Sequence, residues 1–327
     1  MATTRPAASS SARRLNDAIG GGRRMMVDAA LDRSVGALLG LAVGDALGAP
    51  AEGMRRGSYR RITDFMPSPA HGLGPGEWTD DTAMALCLAD SLLACRGLDC
   101  HDLMRRFLRW YRLGENACGG RMAGIGQNTR AALEVYESEG SFGANGRHPG
   151  SIGNGCIMRL APVAIRYRRN LVDARKAAML QAGTTHSSTE AVEAAGLMAE
   201  MLVAGLRTGD PAAIMDVTYA ASAPRVSAIA LGSYQRRSRE EISSNARAVD
   251  TLEAALWCLH QAESFEDAVL AAVNLGGDAD TIGATTGQLA GAIFGASAIP
   301  RRWVDGLHAA DRITDLARTL HRAADLD

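Results

Sequence analysis

The sequence predicts an all-α fold, a single-domain orthogonal helical bundle. From residue 31 onward the 327-residue chain is dominated by Ala, Leu, Arg, Met and Glu, which are strong helix formers. β-branched residues are scattered, and no alternating strand pattern of convincing length occurs. Two helical segments also carry glycine at every fourth position, which predicts close helix packing at the centre of the bundle.

Helical periodicity and loop composition divide the chain into elements. Helical patterns cover 81–95, 101–113, 189–207, 245–262 and 264–274, separated by Pro-, Gly- and Ser-rich stretches at 66–77, 138–155 and 221–238. Residues 1–30 are rich in Ala, Ser, Thr, Gly and Arg and have little apolar periodicity. We therefore expect a flexible N-terminal extension at 1–30, or alternatively a partner-binding arm, before one domain at 31–327.

Charge and cysteine usage limit the classes of partner. The formal net charge is -1, which gives no indication of binding to nucleic acid or to a membrane surface. No apolar run approaches the roughly 18 residues of a membrane span, and no apolar region follows the N-terminal arginines as in a secretory signal. The 6 cysteines form no Cys-x-x-Cys pair. We expect reduced thiols and a cytoplasmic location.

The glycine repeats are Gly36, Gly40, Gly44 and Gly48, and Gly283, Gly287, Gly291 and Gly295. Glycine inside a helix costs about 0.5–1 kcal/mol relative to alanine, so each series requires compensation. A spacing of four places the glycines on one helix face, where another backbone can approach closely. We expect these two helices to pack tightly at the centre, against each other or against a third element.

Two acidic motifs stand where a loop becomes a helix. The first is Thr79-Asp80-Asp81, and the second contains Asp278, Asp280 and Thr281. Helix capping would explain one or two of these oxygens at each helix start, but not two carboxylates with a hydroxyl at both. If the motifs meet, four carboxylates share a small volume with no cation inside either motif, and a divalent metal would relieve their repulsion. Hard oxygen ligands favour Mg²⁺, Mn²⁺ or Ca²⁺, and six side-chain donors favour two ions.

Together with three further segments, these motifs resemble the ADP-ribosylglycohydrolase family. The matching segments are Gly36–Glu52, Trp78–Thr82, Gly150–Gly155 with Met158-Arg159, Thr185-His186, and Gly277–Gly283. They occur in family order over residues 36–295, so the joint match is specific although each segment alone is weak. The resemblance implies an all-α fold with two Mg²⁺ or Mn²⁺ ions in a central cleft. It also implies hydrolysis of the N- or O-glycosidic bond between ADP-ribose and a modified side chain or small molecule.

The resemblance assigns roles to individual residues. It implies that Thr79, Asp80, Asp81, Asp278, Asp280 and Thr281 are the metal ligands. Glu52, Asp81 and Asp278 are the candidate catalytic residues, with Glu52 on a mobile flap and either Glu52 or Asp81 as the base. The candidate contacts to the diphosphate and ribose are Gly150, Ser151, Ile152, Gly153, Asn154, Gly155 and His186. The loop 150–155 precedes a helix that we expect to begin near Cys156.

Three residues near these motifs have structural interpretations. Asp45 follows Gly44 within the first glycine helix, and we expect it to be buried and hydrogen-bonded as a cap for a neighbouring helix. Trp78 and Tyr234 are candidates for adenine stacking, although packing in the core is the favoured interpretation for both.

One departure from the family pattern concerns the substrate. Many members that act on ADP-ribosyl-arginine have Asp-Ile-Gly-Asn before Thr-Arg, whereas this chain has Gly124 at the acidic position and reads Gly124-Ile-Gly-Gln-Asn-Thr-Arg130. Three explanations stay open. Either another acid such as Glu115 substitutes for the missing one, or the leaving group is not arginine, or turnover is slow.

The expected function is metal-dependent removal of ADP-ribose from a modified protein, with arginine as the favoured linkage. Two alternatives stay open. One is an immunity protein that binds an ADP-ribosyltransferase toxin through the N-terminal extension, with or without hydrolysis. The other is a hydrolase of another ADP-ribosyl linkage, such as O-linked serine or a small molecule.

Overall fold

A computed structural model describes residues 10–142 and 151–326, and the side chains from residue 29 onward. The α-helices of this part are α1 (Ser10–Gly48), α2 (Asp80–Ala94), α3 (Cys100–Leu113), α4 (Gln127–Glu139), α5 (Ala161–Arg166), α6 (Leu171–Gly183), α7 (Thr189–Thr208), α8 (Pro211–Met215), α9 (Pro224–Ala230), α10 (Ala248–His260), α11 (Phe265–Val273), α12 (Ala279–Phe294), α13 (Arg301–Gly306) and α14 (Ala310–Ala323). Two isolated β-bridges, but no β-strand, occur among the described residues. The predicted all-α bundle is confirmed.

The predicted helices occur within a few residues of their expected bounds, as α2, α3, α7, α10 and α11. One boundary is wrong. The helix expected near Cys156 begins instead at Ala161, because the chain first turns on itself with the amides of Ile157 and Met158 donating to the Asn154 carbonyl. Pro162 then lies in the first turn of α5, where a missing N–H is tolerated.

The two glycine series lie against each other. An ideal Cβ at Gly40 would stand 2.2 Å from the carbonyl oxygen of Gly287, and one at Gly44 would stand 2.0 Å from that of Gly283. The contact is antiparallel, since Gly36 meets Gly291 in the same way. Helices α1 and α12 therefore touch backbone to backbone, which no residue with a Cβ allows. The prediction of tight packing is confirmed, with α1 and α12 as the two partners.

Helix α1 is also the main core helix. Within the described part, the segment Ala29–Ala51 is long and apolar enough to cross a membrane by length and composition, with a mean hydropathy of 1.4. The expectation that no segment reaches this threshold is wrong, because its leucine, valine and alanine residues outweigh the few charged residues in the average. However, 94% of the window is buried inside the protein, as in the core helix of a globular bundle.

Part of the predicted N-terminal extension cannot be compared with the structure. Residues 1–9 and the side chains of residues 10–28 lie outside the described residues, and so does Gly150. The flexible extension and the partner-binding arm both stay predictions.

The contact between the two glycine series leads to a prediction for the stability of variants. Gly40→Ala should lower the free energy of unfolding by at least about 2 kcal/mol, since the new methyl group meets the Gly287 backbone. Urea denaturation measures the change. Gly183→Ala is the matched control, because Gly183 lies in α6 with nothing within 4 Å of its ideal Cβ. The control should be neutral or more stable by about 0.5–1 kcal/mol, and equal losses in both variants would contradict the interpretation.

Candidate active site

The start of α2 is capped by a side chain from another helix. Asp45 of α1 accepts hydrogen bonds at Oδ1 from the amide of Thr79 (2.9 Å) and its hydroxyl (2.8 Å), and at Oδ2 from those of Thr82 (2.9 and 2.6 Å). Asp45 is fully buried, so these four donors replace the water that its carboxylate has lost. The structural role predicted for Asp45 is confirmed.

Because Asp45 accepts from the first turn of α2, that turn does not need Asp80 or Asp81 as caps, while at the start of α12 Asp280 accepts only the Thr281 amide. Thr79 and Asp278 are the N-cap residues of α2 and α12, and neither makes a side-chain capping hydrogen bond. Helix capping therefore does not account for the acidic residues that follow them. Their oxygens face each other instead.

The two motifs form one acidic cluster. Oxygens of Asp45, Asp81 and Asp280 lie within 4.8 Å of one another, and so do oxygens of Glu52, Asp278 and Asp280. The two threonines belong to the same cluster, with Thr79 Oγ1 3.3 Å and Thr281 Oγ1 3.5 Å from Asp81 Oδ2. Five of the six predicted metal ligands thus come together from two distant parts of the sequence, and the sixth, Asp80, lines the same cleft.

The aspartates of the cluster have no arginine or lysine paired with them among the described residues. Burial, followed by the charges of neighbouring carboxylates, raises the pKa of Asp80 to about 8 and raises the pKa of Asp81 and Asp280 well above its ordinary value. Asp81 Oδ1 is buried without a hydrogen-bond partner among the described residues. Hard anionic oxygens, one of them unpartnered, are the donor set that Mg²⁺ or Mn²⁺ accepts, so these residues fit a divalent metal.

Glu52 has a different environment from the aspartates. It follows a 3-10 turn (Ala49–Ala51) and accepts a 2.8 Å contact from His71 Nε2, while its side chain stays about one-third exposed. His71 Nδ1 lies 3.0 Å from the Ser68 hydroxyl, which donates to the Ala49 carbonyl. The hydrogen bond from His71 lowers the pKa of Glu52, and the carboxylate in turn raises the pKa of His71. His71 was not predicted from the sequence, because a single histidine in a Pro- and Gly-rich loop carries no local signal.

The segment after Glu52 is fastened to the loop that leads into α12. The Gly53 amide donates to the Gly277 carbonyl (2.7 Å), and the Gly277 amide donates to the Met54 carbonyl (2.8 Å). The Arg56 guanidinium donates to the carbonyls of Leu275 (2.8 Å), Ile242 (2.6 Å) and Arg239. In this structure the predicted flap is therefore tied to the loop before α12 by backbone pairing and by one arginine.

A cleft of about 370 Å³ opens onto the cluster. Its acidic wall includes Glu52, Asp80, Asp278, Asp280 and Thr281, while Thr79 and Asp81 are buried behind them. The rest of the wall comes from the two glycine-containing loops and their neighbours, namely Gly124–Thr129, Ile152–Gly155, Met158, His186 and Ala246. Among these, Gln127 and Asn128 were not predicted from the sequence as cleft residues.

Most of the predicted substrate-binding loop lines this cleft. Ile152, Gly153, Asn154 and Gly155 do so, and Asn154 donates hydrogen bonds to Asp278 and to the Thr251 hydroxyl. The substrate loop is thus joined directly to a predicted metal ligand. Ser151 is placed differently, since its hydroxyl accepts from the Ser187 amide at 2.7 Å and it is not among the lining residues.

His186 lies at the cleft, whereas the two candidates for adenine stacking lie in the core. His186 lines the cleft, and burial together with Arg159 lowers its pKa to about 3, so the ring is neutral at ordinary pH. Trp78 packs edge-on against His308 and donates to the Asn116 carbonyl, and Tyr234 packs against His260. Both are buried outside the cleft lining, which confirms core packing for Trp78 and Tyr234.

Gly124 has a conformational reason to be glycine. Its φ is +77°, and an ideal Cβ would lie 2.6 Å from Asp80 Oδ1. In this backbone conformation an acidic side chain at position 124 would collide with a metal-site carboxylate. Glu115 does not replace it, since Glu115 pairs with Arg109 at 2.8 Å and does not line the cleft.

Comparison with known proteins agrees with this geometry. The sequence profile of the family described as ADP-ribosylglycohydrolase matches residues 26–327. This chain belongs to the ADP-ribosylglycohydrolase family. It is 42% identical over 299 residues to ADP-ribosylarginine hydrolase Tri1 of Pseudomonas putida (strain GB-1), covering 91% of this chain and 80% of that protein.

Two further similarities support the assignment to this family. The chain is 34% identical over 286 residues to the ADP-ribosyl-[dinitrogen reductase] glycohydrolase of Rhodospirillum rubrum, covering 84% of this chain and 90% of that protein. It also resembles a solved ADP-ribosylglycohydrolase-related protein complex, with a TM-score of 0.79, 40% sequence identity, and coverage of 91% of this chain and 99% of that one. The ADP-ribosylglycohydrolase family is a family of hydrolases, so the protein is an enzyme and the acidic cleft is its candidate active site.

The raised pKa values predict a pH-dependent effect of metal on stability. A carboxyl group whose pKa is raised by folding binds its proton more tightly when folded, so stability is lost as the pH rises from the unfolded pKa to the folded one. The pKa of Asp80 rises from 3.8 to about 8, and the pKa of Asp278 rises from 3.8 to about 6. The metal-free protein should therefore lose stability between about pH 4 and pH 8.

Thermal unfolding with EDTA or with Mg²⁺, at pH 5 and pH 8, tests this prediction. Mg²⁺ should raise the unfolding temperature more at pH 8 than at pH 5. The difference between the two metal conditions cancels the contribution of titrating groups elsewhere. An equal metal effect at both pH values would contradict it.

Proposed function

We propose that this ADP-ribosylglycohydrolase removes ADP-ribose from modified arginine side chains of proteins, with the help of two divalent cations, Mg²⁺ or Mn²⁺. The observation that carries the proposal is the meeting of both acidic motifs at the floor of one cleft. The arginine linkage is supported by two relatives, the ADP-ribosylarginine hydrolase Tri1 of Pseudomonas putida and that of Serratia proteamaculans (strain 568), the latter at 39% identity. Gly124 departs from the arginine-type pattern, and its positive φ favours glycine at that position.

The chain's own residues suggest how the substrate is held. The cations would be held by Thr79, Asp80, Asp81, Asp278, Asp280 and Thr281. When bound, they would place positive charge beside the ribose hydroxyls. The amides of Ile152–Gly155 and the ring of His186 offer hydrogen bonds to the diphosphate and ribose oxygens. Positive charge that develops on the ribose during bond cleavage is stabilised by the carboxylates of the cleft.

The environment of the carboxylates favours Glu52 as the base. Asp81 is only 1% exposed, and its Oδ2 already contacts two threonine hydroxyls. Glu52 lines the cleft, is partly exposed, and is kept ionised by His71. An ionised and accessible carboxylate can take a proton from the attacking water, whereas a buried one with a raised pKa cannot do so readily. We therefore assign the base to Glu52 and ligand roles to Asp81 and Asp278.

Release of ADP-ribose from an arginine-ADP-ribosylated protein tests the proposed function. We expect release in Mg²⁺ or Mn²⁺, loss of release in EDTA, and recovery when metal is returned. Asp80→Asn and Asp278→Asn should each lower kcat/KM at least about a hundredfold, because each removes a ligand charge from the cluster.

The matched control is Asp267→Asn, which changes a first-turn aspartate of α11 that Ser264 contacts outside the cleft. This variant should keep its activity. Full activity of both cleft variants in the presence of EDTA would overturn the metal assignment. Release only from a serine-linked substrate would replace arginine by the O-linked alternative.

The contact between His71 and Glu52 leads to a prediction for the pH dependence of the same reaction. Because the hydrogen bond from His71 lowers the pKa of Glu52, His71→Ala should raise that pKa and protonate the base at higher pH. The acidic limb of the kcat/KM profile should then move to higher pH in saturating metal. An unchanged limb would mean that Glu52 does not set it.

The cytoplasmic location and the role as an immunity protein against an ADP-ribosyltransferase toxin stay predictions. The latter depends on residues 1–30, and deleting them tests it. Loss of toxin protection with intact hydrolysis would favour a binding arm.

A further inference from the structure

A buried arginine stands behind the cleft without a carboxylate partner. Arg159 is 0% exposed, yet its hydrogen bonds go to neutral groups, to Gln181 Oε1 (3.0 Å), the Gln181 carbonyl (3.3 Å) and Thr185 Oγ1 (2.9 Å). Its guanidinium also lies 4.6 Å from the centre of the Phe107 ring. No carboxylate of the described residues is hydrogen-bonded to it or paired with it. Burying a cation among neutral partners costs several kcal/mol, so the position calls for a function.

The orientation of the partners around Arg159 is fixed. The Gln181 amide nitrogen donates to the Cys156 carbonyl at 2.7 Å and to that of Ala178 at 3.2 Å, which turns Oε1 toward Arg159. Burial lowers the pKa of Arg159 to about 10, so the guanidinium stays a donor-only cation at neutral pH. Thr185 Oγ1 must therefore accept from Arg159.

The same hydroxyl contacts the histidine of the cleft. Thr185 Oγ1 lies 2.8 Å from His186 Nδ1, and no other acceptor for its hydrogen is found among the described residues. The hydroxyl hydrogen consequently points at Nδ1, which must be the unprotonated nitrogen of the ring. The remaining ring nitrogen, Nε2, carries the hydrogen.

That hydrogen faces the substrate loop. His186 lines the cleft, and an ideal Cβ at Gly153 would lie 3.2 Å from Nε2. At Gly155 the corresponding distance is 3.4 Å, so the ring stands beside the bare backbone of both glycines. A side chain at either glycine would press on the imidazole.

We propose that Arg159 and Thr185 are positioning residues that hold His186 as a neutral Nε2–H donor aimed at an oxygen of the ADP-ribosyl group. The donor is fixed from behind, through the chain Arg159 to Thr185 to His186, rather than by the ligand. The inference rests on the proposed function only for the identity of the ligand. The tautomer itself is a property of the free protein.

The proposal is tested with the full chain labelled with ¹⁵N-histidine. The sequence has 7 histidines, and the His186→Gln spectrum identifies the signals of His186. We expect a protonated Nε2 and an unprotonated Nδ1 in the unmodified protein without ligand. An Nδ1–H tautomer there would overturn the proposal.

Substitutions at position 185 supply the second measurement. Thr185→Val removes the hydroxyl at nearly constant volume, so the fixed tautomer should be lost and the Kd for ADP-ribose in Mg²⁺ should rise about tenfold. Thr185→Ser keeps the hydroxyl and should keep both the tautomer and the affinity. An unchanged tautomer and Kd in Thr185→Val would overturn the role of Thr185.

Thr184→Val is the matched control for a merely structural effect. Thr184 is the neighbouring buried threonine, and its hydroxyl donates to the Gln181 carbonyl at 2.7 Å rather than to the histidine. It should lower the unfolding temperature without changing the His186 signals. If the tautomer is as expected but the protein does not bind ADP-ribose, the proposed function fails while the assignment of Arg159 and Thr185 stands.

Discussion

Direct contact between the backbones of α1 and α12 is the constraint on which the active site depends. Gly40 meets Gly287 and Gly44 meets Gly283 at distances that exclude a Cβ on either helix. Asp45 follows Gly44, and Asp280 lies where Gly48 meets the start of α12, so the contact brings the two aspartates together. A contact made of main-chain atoms has no rotamers to change, which keeps the carboxylates in place despite their repulsion.

The electrostatic cost of the cluster is divided between its members. Asp45 is satisfied by four donors at the start of α2, where the helix dipole also favours a negative charge. Burial raises the pKa of Asp45 as it does those of Asp80 and Asp81, but only Asp45 has four donors that oppose the rise. One carboxylate therefore serves the fold and leaves the others available for cations. Both functions meet at the same helix end, so a substitution at Asp45 would disturb folding and chemistry together.

Local patterns were sufficient to predict the parts of this structure that repeat or adjoin along the chain. A glycine spacing of four predicted the α1–α12 contact, and two carboxylates beside a threonine at each helix start predicted the acidic cluster. Features that depend on the path of a loop could not be found in this way. The pairing of Glu52 with His71 needs the turn at Ser68, and the delayed start of α5 needs the Asn154 carbonyl to accept two amides.

Two residues near the cleft show the same limit of prediction from local sequence. A sequence identifies Ser151 as a hydroxyl near a glycine loop, but only the fold shows that Ser187 uses it. Likewise, Gly124 appears in the sequence as a lost acid, whereas in the structure it is a position at which Asp80 leaves no space.

The fastening of the segment after Glu52 has a consequence for how substrate reaches the cleft. Lifting that side would break the paired bonds between Gly53, Met54 and Gly277 and the three carbonyl contacts of Arg56 together, so it is a cooperative and slow event. By contrast, the segment 122–126, part of which lines the cleft, makes no hydrogen bond to a distant segment among the described residues, and two of its residues are glycines. The cleft is therefore held unevenly, with the firmer hydrogen bonding on the side of Glu52.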